Sequence, residues 1–499
     1  MLKSSLLEIL RTFTKQELIK FEDFVRSPYF NKKENVTKLF LEIKKYTPEF
    51  SNENLEKERV WGNIFPGKEY NYGIMKNLIH ELTKLSESFI TIEYSKLDKL
   101  ENSIDLLVTL MERQATKVFS SKIDMFGKMY DKPDIKNESY GIENYYDFFN
   151  KLNYLKSQYN WFHNMGSTAA YEFTCRSADC LMYSAIITFY KKYNNYLAHN
   201  DEPEWNKNNA PEIFLTGLNE NLILPLLENV KLRSEKDYLI LKCFYEMNIA
   251  IEADADINSY FNFKKSLHAC SDLIYKSDLR NLLMCLVNSL RYIKDRKPHK
   301  GINFHKEILE NYNFMIENNI FLESNGIMEG NLYIMYCIIA FSLKEYESIE
   351  MLAKKFGNKI PADRRENDNN YSRALICYGK KDYSKSLEHL SRINHDFFNM
   401  KHLVKNIQMI NYFELNDYIS FNYIADSYKH FLSKNKSVTS YSKSVSEDFC
   451  KNVNKLFKLR ESFDKFEMEK FRKEIIETEP MIHKYWILDK IVEIESAKS

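Results

Sequence analysis

The chain has 499 residues, which at about 150 residues per domain corresponds to roughly three domains. Only 12 glycines and 10 prolines are present, roughly a third of the usual share, which disfavours a turn-rich β-sandwich, a glycine-rich nucleotide fold and disorder. Lys and Arg number 71 and Asp and Glu 70, so no strong global field draws the chain to nucleic acid or to an anionic membrane. This composition predicts an all-α protein.

Targeting and cysteine features predict a cytoplasmic location. Glu8 and Arg11 interrupt the first apolar segment, so we expect no secretory signal. The longest uncharged stretch, 330–343, is shorter than the roughly 20 apolar residues that span a bilayer, so we expect no membrane partner. The eight cysteines are scattered and form no C-x-x-C pair, which is typical of a reducing compartment.

Residues 14–31 predict a helix with both ends marked. Thr14 followed by Glu17 is a capping box, in which each side chain accepts from a backbone N–H at the helix start. Pro28 ends the helix, because the residue before a proline is disfavoured in the α region. The inward face consists of Leu18, Phe21, Phe24 and Val25.

Three further helices are predicted in the first hundred residues. They cover about 34–46, about 55–65, and a long stretch that begins near Tyr72. Pro48 closes the first and Pro66 with Gly67 closes the second. The expected inward residues are Val36, Phe40 and Ile43 in the first, and Ile74, Leu78, Leu82, Leu85 and Phe89 in the long helix.

From residue 97 onward, apolar positions recur at three- and four-residue spacing and no alternating strand pattern is found. Gly326 and Gly330 mark a helix start. Loops are predicted near 131–133, 206–211, 297–298, 358–361 and 435–438.

Three turns in the last third of the chain share an acidic residue followed by tyrosine. They are Glu345-Tyr346, Asp382-Tyr383 and Asp417-Tyr418, and they are 37 and 35 residues apart. These spacings are close to the period of about 34 residues in tetratricopeptide repeats. Residues 373–390 around the middle copy predict a helix, a tight turn and a second helix.

This segment, about 330–435, resembles the tetratricopeptide family. Ala374 and Ser386 occupy small-residue positions of the family's two helices, and Pro361 lies where a repeat often closes. The family's turn glycine is replaced by Lys344, Lys381 and Asn416, and the small residue of the second helix by Ile349 and Phe421. The resemblance implies an irregular α-solenoid of antiparallel helix pairs.

A second resemblance covers more of the chain. It is to a group of uncharacterised all-helical bacterial proteins of about this length; it implies one full-length unit and no activity. The segments that carry it are 26–31, 65–67, 381–383, 426–432 and Trp486. The predicted domains are an N-terminal helical module over 1–96, an irregular helical-repeat region over 97–325, and tetratricopeptide-like repeats with C-terminal helices over 326–499.

No motif predicts catalysis, a cofactor or a metal. Glycines two residues apart never occur, so the dinucleotide fingerprint is absent, and no Gly-Lys-Ser/Thr closes a phosphate loop. His389, His395 and His402 are six and seven residues apart, whereas two ligands on one helix face lie three or four apart. Gly166-Ser167 lacks the second glycine of a nucleophile elbow. We therefore expect a non-enzymatic protein.

The main functional hypothesis is a scaffold that binds a peptide or protein partner. Its candidate binding residues lie on the presumptive first helices of the repeats, where amide and cationic groups hold a peptide backbone and its carboxylates. They are Asn331, Asn370, Arg373, Lys405 and Asn406. Ordinary polar surface is the competing interpretation, and the sequence leaves the partner and the oligomeric state open.

The alternative hypothesis is a nucleic-acid-associated regulator. The helices at about 55–65 and 72–89 resemble the helix-turn-helix half of winged-helix domains in bacterial regulators that carry a tetratricopeptide-like domain. Lys76, His80 and Lys84 follow one another at i+4 and would face DNA. Residues 90–95 show no clear two-stranded wing, and a plain helical domain is the competing interpretation.

Overall fold

The chain is all-α in the part that the structure describes. This computed structural model describes residues 4–47, 50, 55–96, 99–131, 144–198, 210–252, 255–296, 301–322, 326–328, 330–394, 398–435, 440–478 and 481–498. Within these ranges no β-strand forms, and Leu322 and Met328 make one isolated β-bridge. The predicted fold class is therefore confirmed at the level of all-α.

Twenty-four α-helices lie in the described ranges. They are α1 (Ser5–Arg11), α2 (Lys15–Arg26), α3 (Glu34–Lys44), α4 (Lys57–Ile64), α5 (Tyr72–Ser95), α6 (Lys99–Glu112), α7 (Thr116–Asp131), α8 (Asn144–Asn164), α9 (Ala170–Ala198), α10 (Ala210–Gly217), α11 (Ile223–Arg233), α12 (Glu235–Ile251), α13 (Ile257–Cys270), α14 (Lys276–Arg296), α15 (Phe304–Glu317), α16 (Gly330–Ser342), α17 (Tyr346–Phe356), α18 (Arg365–Gly379), α19 (Tyr383–Ser391), α20 (Phe398–Glu414), α21 (Tyr418–Lys434), α22 (Ser440–Glu461), α23 (Lys465–Glu477) and α24 (Lys484–Lys498). A π-helical turn, Leu218–Leu222, joins α10 to α11, and a 3-10 turn, Gly357–Lys359, follows α17.

The chain divides into two units. One consists of Met1–Pro133 and Asn150–Asp179, and the other of Asp134–Phe149 and Cys180–Ser499. The three predicted domains remain a prediction.

Helices α1 to α5 share one apolar core in the first unit. Thr14 forms the predicted capping box with Glu17, and Leu18, Phe21, Phe24 and Val25 are buried as expected. Val36, Phe40 and Ile43 of α3 and Leu78, Leu82 and Phe89 of α5 are buried in the same core.

One predicted core position is wrong. Ile74 is 48% exposed, whereas its neighbour Met75 is fully buried. Successive helical residues are 100° apart, so the inward stripe of α5 passes through Met75 and Leu78 and leaves Ile74 on the side. Leu85 lies at the edge of this stripe and is half-buried.

In the second unit, α16 to α22 pack in chain order. Each of these helices contacts the next one. Alternate helices are also in contact, α16 with α18, α18 with α20, and α20 with α22. The long α24 packs against α22 and α23. The helices that flank the three acidic-Tyr turns therefore pack against one another in chain order.

The three acidic-Tyr turns have the same backbone conformation. Their φ angles are +62° at Lys344, +60° at Lys381 and +57° at Asn416. The N–H of the following acidic residue donates to the carbonyl five residues earlier, at 2.8 Å for Glu345, 3.0 Å for Asp382 and 2.9 Å for Asp417. This is the Schellman motif, whose left-handed position normally holds glycine. Lys344, Lys381 and Asn416, which replace the turn glycine of the tetratricopeptide family, are therefore the residues with positive φ.

The predicted loops have different outcomes. The 358–361 loop joins α17 to α18, and Asn435 ends α21. Ala210 and Pro211 were expected in a loop but begin α10, where the missing N–H of a proline in the first turn is harmless. The predicted loop positions 132–133, 206–209, 297–298 and 436–438 lie outside the described residues.

Candidate functional site

Two of the five predicted binding residues line one surface depression. Asn370 and Arg373 of α18 border a concavity of about 340 Å³. Its other lining residues are Ala362, Arg365, Glu366, Asn369 and Arg392. We call this feature the α18 depression.

The α18 depression is positively charged. It has three guanidinium groups and one carboxylate, that of Glu366. Arg365 donates through Nε to the carbonyl of Ile360 at 3.0 Å, and Arg392 pairs with Glu388. Arg373 is exposed and forms no ion pair with any residue that the structure describes. Among the described residues, Arg365 and Arg373 both lack a carboxylate partner, and the guanidinium of Arg373 also has no hydrogen-bond partner.

The neighbouring amides are partly committed to the fold. Asn369 donates to the carbonyl of Gly357 at 3.0 Å and holds the turn after α17. The side-chain oxygen of Asn370 lies 3.3 Å from Nδ1 of His389. Burial, and after it the positive charge of Arg373, lower the pKa of His389. The imidazole next to Asn370 is thus neutral at neutral pH and adds no charge to the α18 depression.

The other three predicted residues lie elsewhere. Asn331 is exposed at the start of α16, where its oxygen accepts from Nη1 of Arg364 at 3.1 Å. Lys405 and Asn406 of α20 are 9% and 1% exposed. Asn406 contacts Nε2 of His402 at 3.3 Å, so its amide serves the packing of α20. None of the three lines the α18 depression.

A second cavity, of about 420 Å³, lies among the first two acidic-Tyr turns and α24. Its aromatic lining consists of Phe341, Tyr346, Tyr378, Tyr383, Tyr485 and Trp486, together with the imidazole rings of His305 and His483. Its charged lining consists of Lys344, Lys381, Lys484, Asp489, Lys490 and Glu493. We call this feature the α24 cavity.

A buried carboxylate fixes one wall of the α24 cavity. Glu414 Oε1 accepts from the hydroxyl of Tyr378 at 2.6 Å and from Nε1 of Trp486 at 3.1 Å. Lys490 Nζ lies 2.8 Å from the same oxygen, and both charged side chains are at most 10% exposed. Burial alone would lower the pKa of Lys490, but hydrogen bonding and attraction to Glu414 and Glu493 outweigh burial and raise it. The wall is therefore held in place without a ligand.

The ring of Tyr346 forms another wall and depends on a glycine. A Cβ atom placed on Gly379, the last residue of α18, would lie 2.3 Å from the Tyr346 ring. Only glycine therefore allows the start of α17 to approach the end of α18 this closely. The tyrosine spacing identified the turns from the sequence, but it gave no sign that Tyr346, Tyr383 and Trp486 line a common cavity.

A third cavity, of about 430 Å³, lies between α9, α12 and α14. Asp278 is fully buried there and pairs with Lys191 at 2.6 Å. It also accepts from the backbone N–H of Asn144 at 2.5 Å. These contacts satisfy the buried charge and explain the cluster as part of the fold.

The N-terminal residues proposed for DNA contact are accessible. Lys76, His80 and Lys84 are all exposed on α5. Glu81 lies between them and pairs with Lys33, the residue that directly precedes α3. Residues 90–95 continue α5 as helix, so they form no strand of a wing.

Among the residues that the structure describes, no three His, Cys, Asp or Glu side chains are grouped so as to hold a metal ion. Nor does any described helix combine the length and apolar character that crossing a bilayer requires. No protein-family model, curated protein or solved structure matches the chain.

Proposed function

We propose that the chain is a non-enzymatic scaffold that binds an acidic peptide segment of a partner protein at the α18 depression. The observation that carries this proposal is the exposed, unpaired guanidinium of Arg373 beside Arg365 and Arg392. A guanidinium donates two parallel hydrogen bonds to a carboxylate, and neighbouring amides can pair with a peptide backbone. An extended acidic peptide matches both groups, because its glutamate or aspartate side chains accept from the guanidinium and its backbone pairs with the amides.

We propose further that α16 to α22 are tetratricopeptide-like repeats within an irregular solenoid. The repeated Schellman turns at 344, 381 and 416 support this, as do the buried small side chains of Ala374 and Ser386. In such an array α18 is a first helix, and its exposed face belongs to the concave surface. The proposed peptide site lies on that helix.

A peptide-binding measurement tests the scaffold proposal. The probe is a fluorescein-labelled peptide of alternating glutamate and glycine, with a glutamine-for-glutamate peptide as its neutral match. Because hydrogen bonds to charged groups contribute about 1.5–3 kcal/mol, Arg373→Glu should weaken binding at least tenfold. The matched control is Lys354→Glu, the same charge reversal on the exposed face of α17. Equal binding of both peptides, or equal affinities of the two variants, contradicts the proposal.

The second candidate is a nucleic-acid-associated regulator, supported by the exposure of Lys76, His80 and Lys84 along α5. Phosphate neutralisation would drive such binding, so affinity should fall steeply with salt. Gel shifts with genomic fragments at low salt test it. A sequence-selective shift that Lys76→Glu abolishes would rank this function first, and no shift at micromolar protein rejects it.

We also propose a cytoplasmic location. All eight cysteines are free thiols, and six of them are buried. Thiols persist in this form in a reducing compartment.

A further inference from the structure

The α24 cavity has the size and rigidity of a small-molecule site. Its volume of about 420 Å³ falls at the lower end of the range of about 300–1,000 Å³ found for ligand pockets. This is room for one or two rings with a short substituent. Tyr378 and Trp486 are already held by hydrogen bonds to Glu414, so two aromatic walls need no rearrangement to receive a ring.

The carboxylates that line the α24 cavity are already engaged. Asp489 pairs with Lys344 at 2.9 Å, and Glu493 pairs with Lys490 at 2.7 Å. Neither carboxylate is therefore free to attract a cationic ligand.

The groups that remain available are hydrogen-bond donors. Lys381 has no carboxylate within ion-pair distance among the described residues, and the hydroxyls of Tyr346 and Tyr383 have no hydrogen-bond partner there. Burial raises the pKa of Tyr346 to about 12 and also raises that of Tyr383. Both phenols are thus protonated at neutral pH and can donate. One ammonium and two phenols suit a ligand with a negatively charged oxygen.

We propose that the α24 cavity binds a planar aromatic ring that carries a carboxylate. The ring lies among the aromatic walls, and the carboxylate accepts from Lys381 and from the phenols of Tyr346 and Tyr383. Charge-assisted hydrogen bonds of this kind are about twice as strong as neutral ones and therefore select the anion. This inference does not depend on the α18 depression or on peptide binding there.

The same chemistry occurs in free aromatic carboxylic acids and at the end of a peptide whose last residue is aromatic. The binding experiment has one arm for each source. The first arm uses 3-phenylpropanoate and indole-3-acetate, with 3-phenylpropanamide as the neutral match. The second arm uses a tripeptide ending in phenylalanine, with the same tripeptide amidated at its C-terminus as its match. Saturation-transfer NMR and calorimetry on the full chain measure binding.

At least one acid in one arm should bind with a dissociation constant below about 1 mM, and its amide at least tenfold more weakly. Tighter binding in the first arm identifies a free acid as the source, and tighter binding in the second arm identifies a peptide end. Both results support the proposal. The proposal is wrong if no acid in either arm reaches this affinity, or if acid and amide bind equally.

A pair of variants locates the bound anion. Lys381→Asn removes the ammonium but keeps a residue that tolerates the positive φ of +60°. The control Lys380→Asn removes the same charge from the adjacent residue, which pairs with Glu350 and does not line the α24 cavity. We expect roughly tenfold weaker binding in Lys381→Asn and little change in Lys380→Asn. Circular dichroism establishes that both variants are folded, and equal affinities for the acid overturn the proposal.

Discussion

Substitution of Glu414 is the strongest test of which contacts hold α24 against the rest of its unit. Its carboxylate accepts from Tyr378 of α18 and from Trp486 and Lys490 of α24. The substitution Glu414→Gln has nearly the same shape and keeps one oxygen acceptor, but it removes the negative charge that faces Lys490. We expect α24 to open more readily in this variant.

The size of the effect follows from the burial of the pair. Removing one partner of a buried ion pair destabilises by about 3–5 kcal/mol, because the other charge stays buried without compensation. Lys490 keeps a contact with Glu493 at 2.7 Å, on a side chain that is 61% exposed. The retained contact lowers the expected loss to about 2–3 kcal/mol, which is roughly a 30- to 150-fold increase in the opening equilibrium.

Hydrogen exchange of peptides from α24 measures this opening directly. The matched control is Glu388→Gln, which breaks an exposed ion pair with Arg392 and should cost less than about 1 kcal/mol. The double variant with Lys490→Met should lose less stability than the two single variants together, since each single change leaves one charge unpaired. Exchange of α24 in Glu414→Gln that matches the Glu388→Gln control would refute the reasoning.

Three further predictions concern single positions. Burial is the main cause that lowers the pKa of His483 to about 3. Between pH 6.5 and 3 the unfolded chain therefore binds the proton of this imidazole more readily than the folded chain, and stability falls as the pH drops. Denaturant titrations at pH 7 and 4.5 should show a loss of about 2–3 kcal/mol, and His483→Asn should remove this loss. Lys381→Gly should stabilise the protein by about 0.5–1 kcal/mol, because the φ of Lys381 is positive. Asn416→Gly should stabilise it by less, because asparagine already tolerates the left-handed backbone region. Thermal melts of both variants check which one is stabilised more. Gly379→Ala should destabilise by about 1–3 kcal/mol, since the added methyl group overlaps the Tyr346 ring, and a melting temperature equal to wild type would contradict that contact.

Local sequence signals predicted much of the fold because they act within one helix turn. The capping box of Thr14 and Glu17 and the buried face of α2 depend on residues a few positions apart. The acidic-Tyr turns were recognisable for the same reason, since the backbone of each turn is set by six consecutive residues. The error at Ile74 has the same origin, because two faces of a helix 100° apart are hard to separate when both carry apolar residues.

The α24 cavity was out of reach of this reasoning. Glu414 meets Tyr378, Trp486 and Lys490 across sequence separations of 36, 72 and 76 residues. Nothing near Glu414 distinguishes it from the other acidic residues at helix ends. Asn370 and Arg373 were identified because they are polar residues on a presumptive first helix of a repeat, whereas Arg392 joins them only through the packing of α18 and α19.

The walls of the α24 cavity and the attachment of α24 depend on the same side chains. Tyr378 and Trp486 present their rings to the cavity while their polar atoms donate to Glu414. A ligand that contacts both α18 and α24 must therefore stabilise the closed position of α24. At a concentration 100 times its dissociation constant, the proposed aromatic acid should raise the free energy of α24 opening by about 2.7 kcal/mol. Because Glu414 fixes the positions of the Tyr378 and Trp486 rings, Glu414→Gln should weaken binding of that ligand even though Glu414 does not line the cavity. An affinity unchanged by Glu414→Gln, together with faster α24 exchange, would separate the two roles and place the ligand on the α18 side alone.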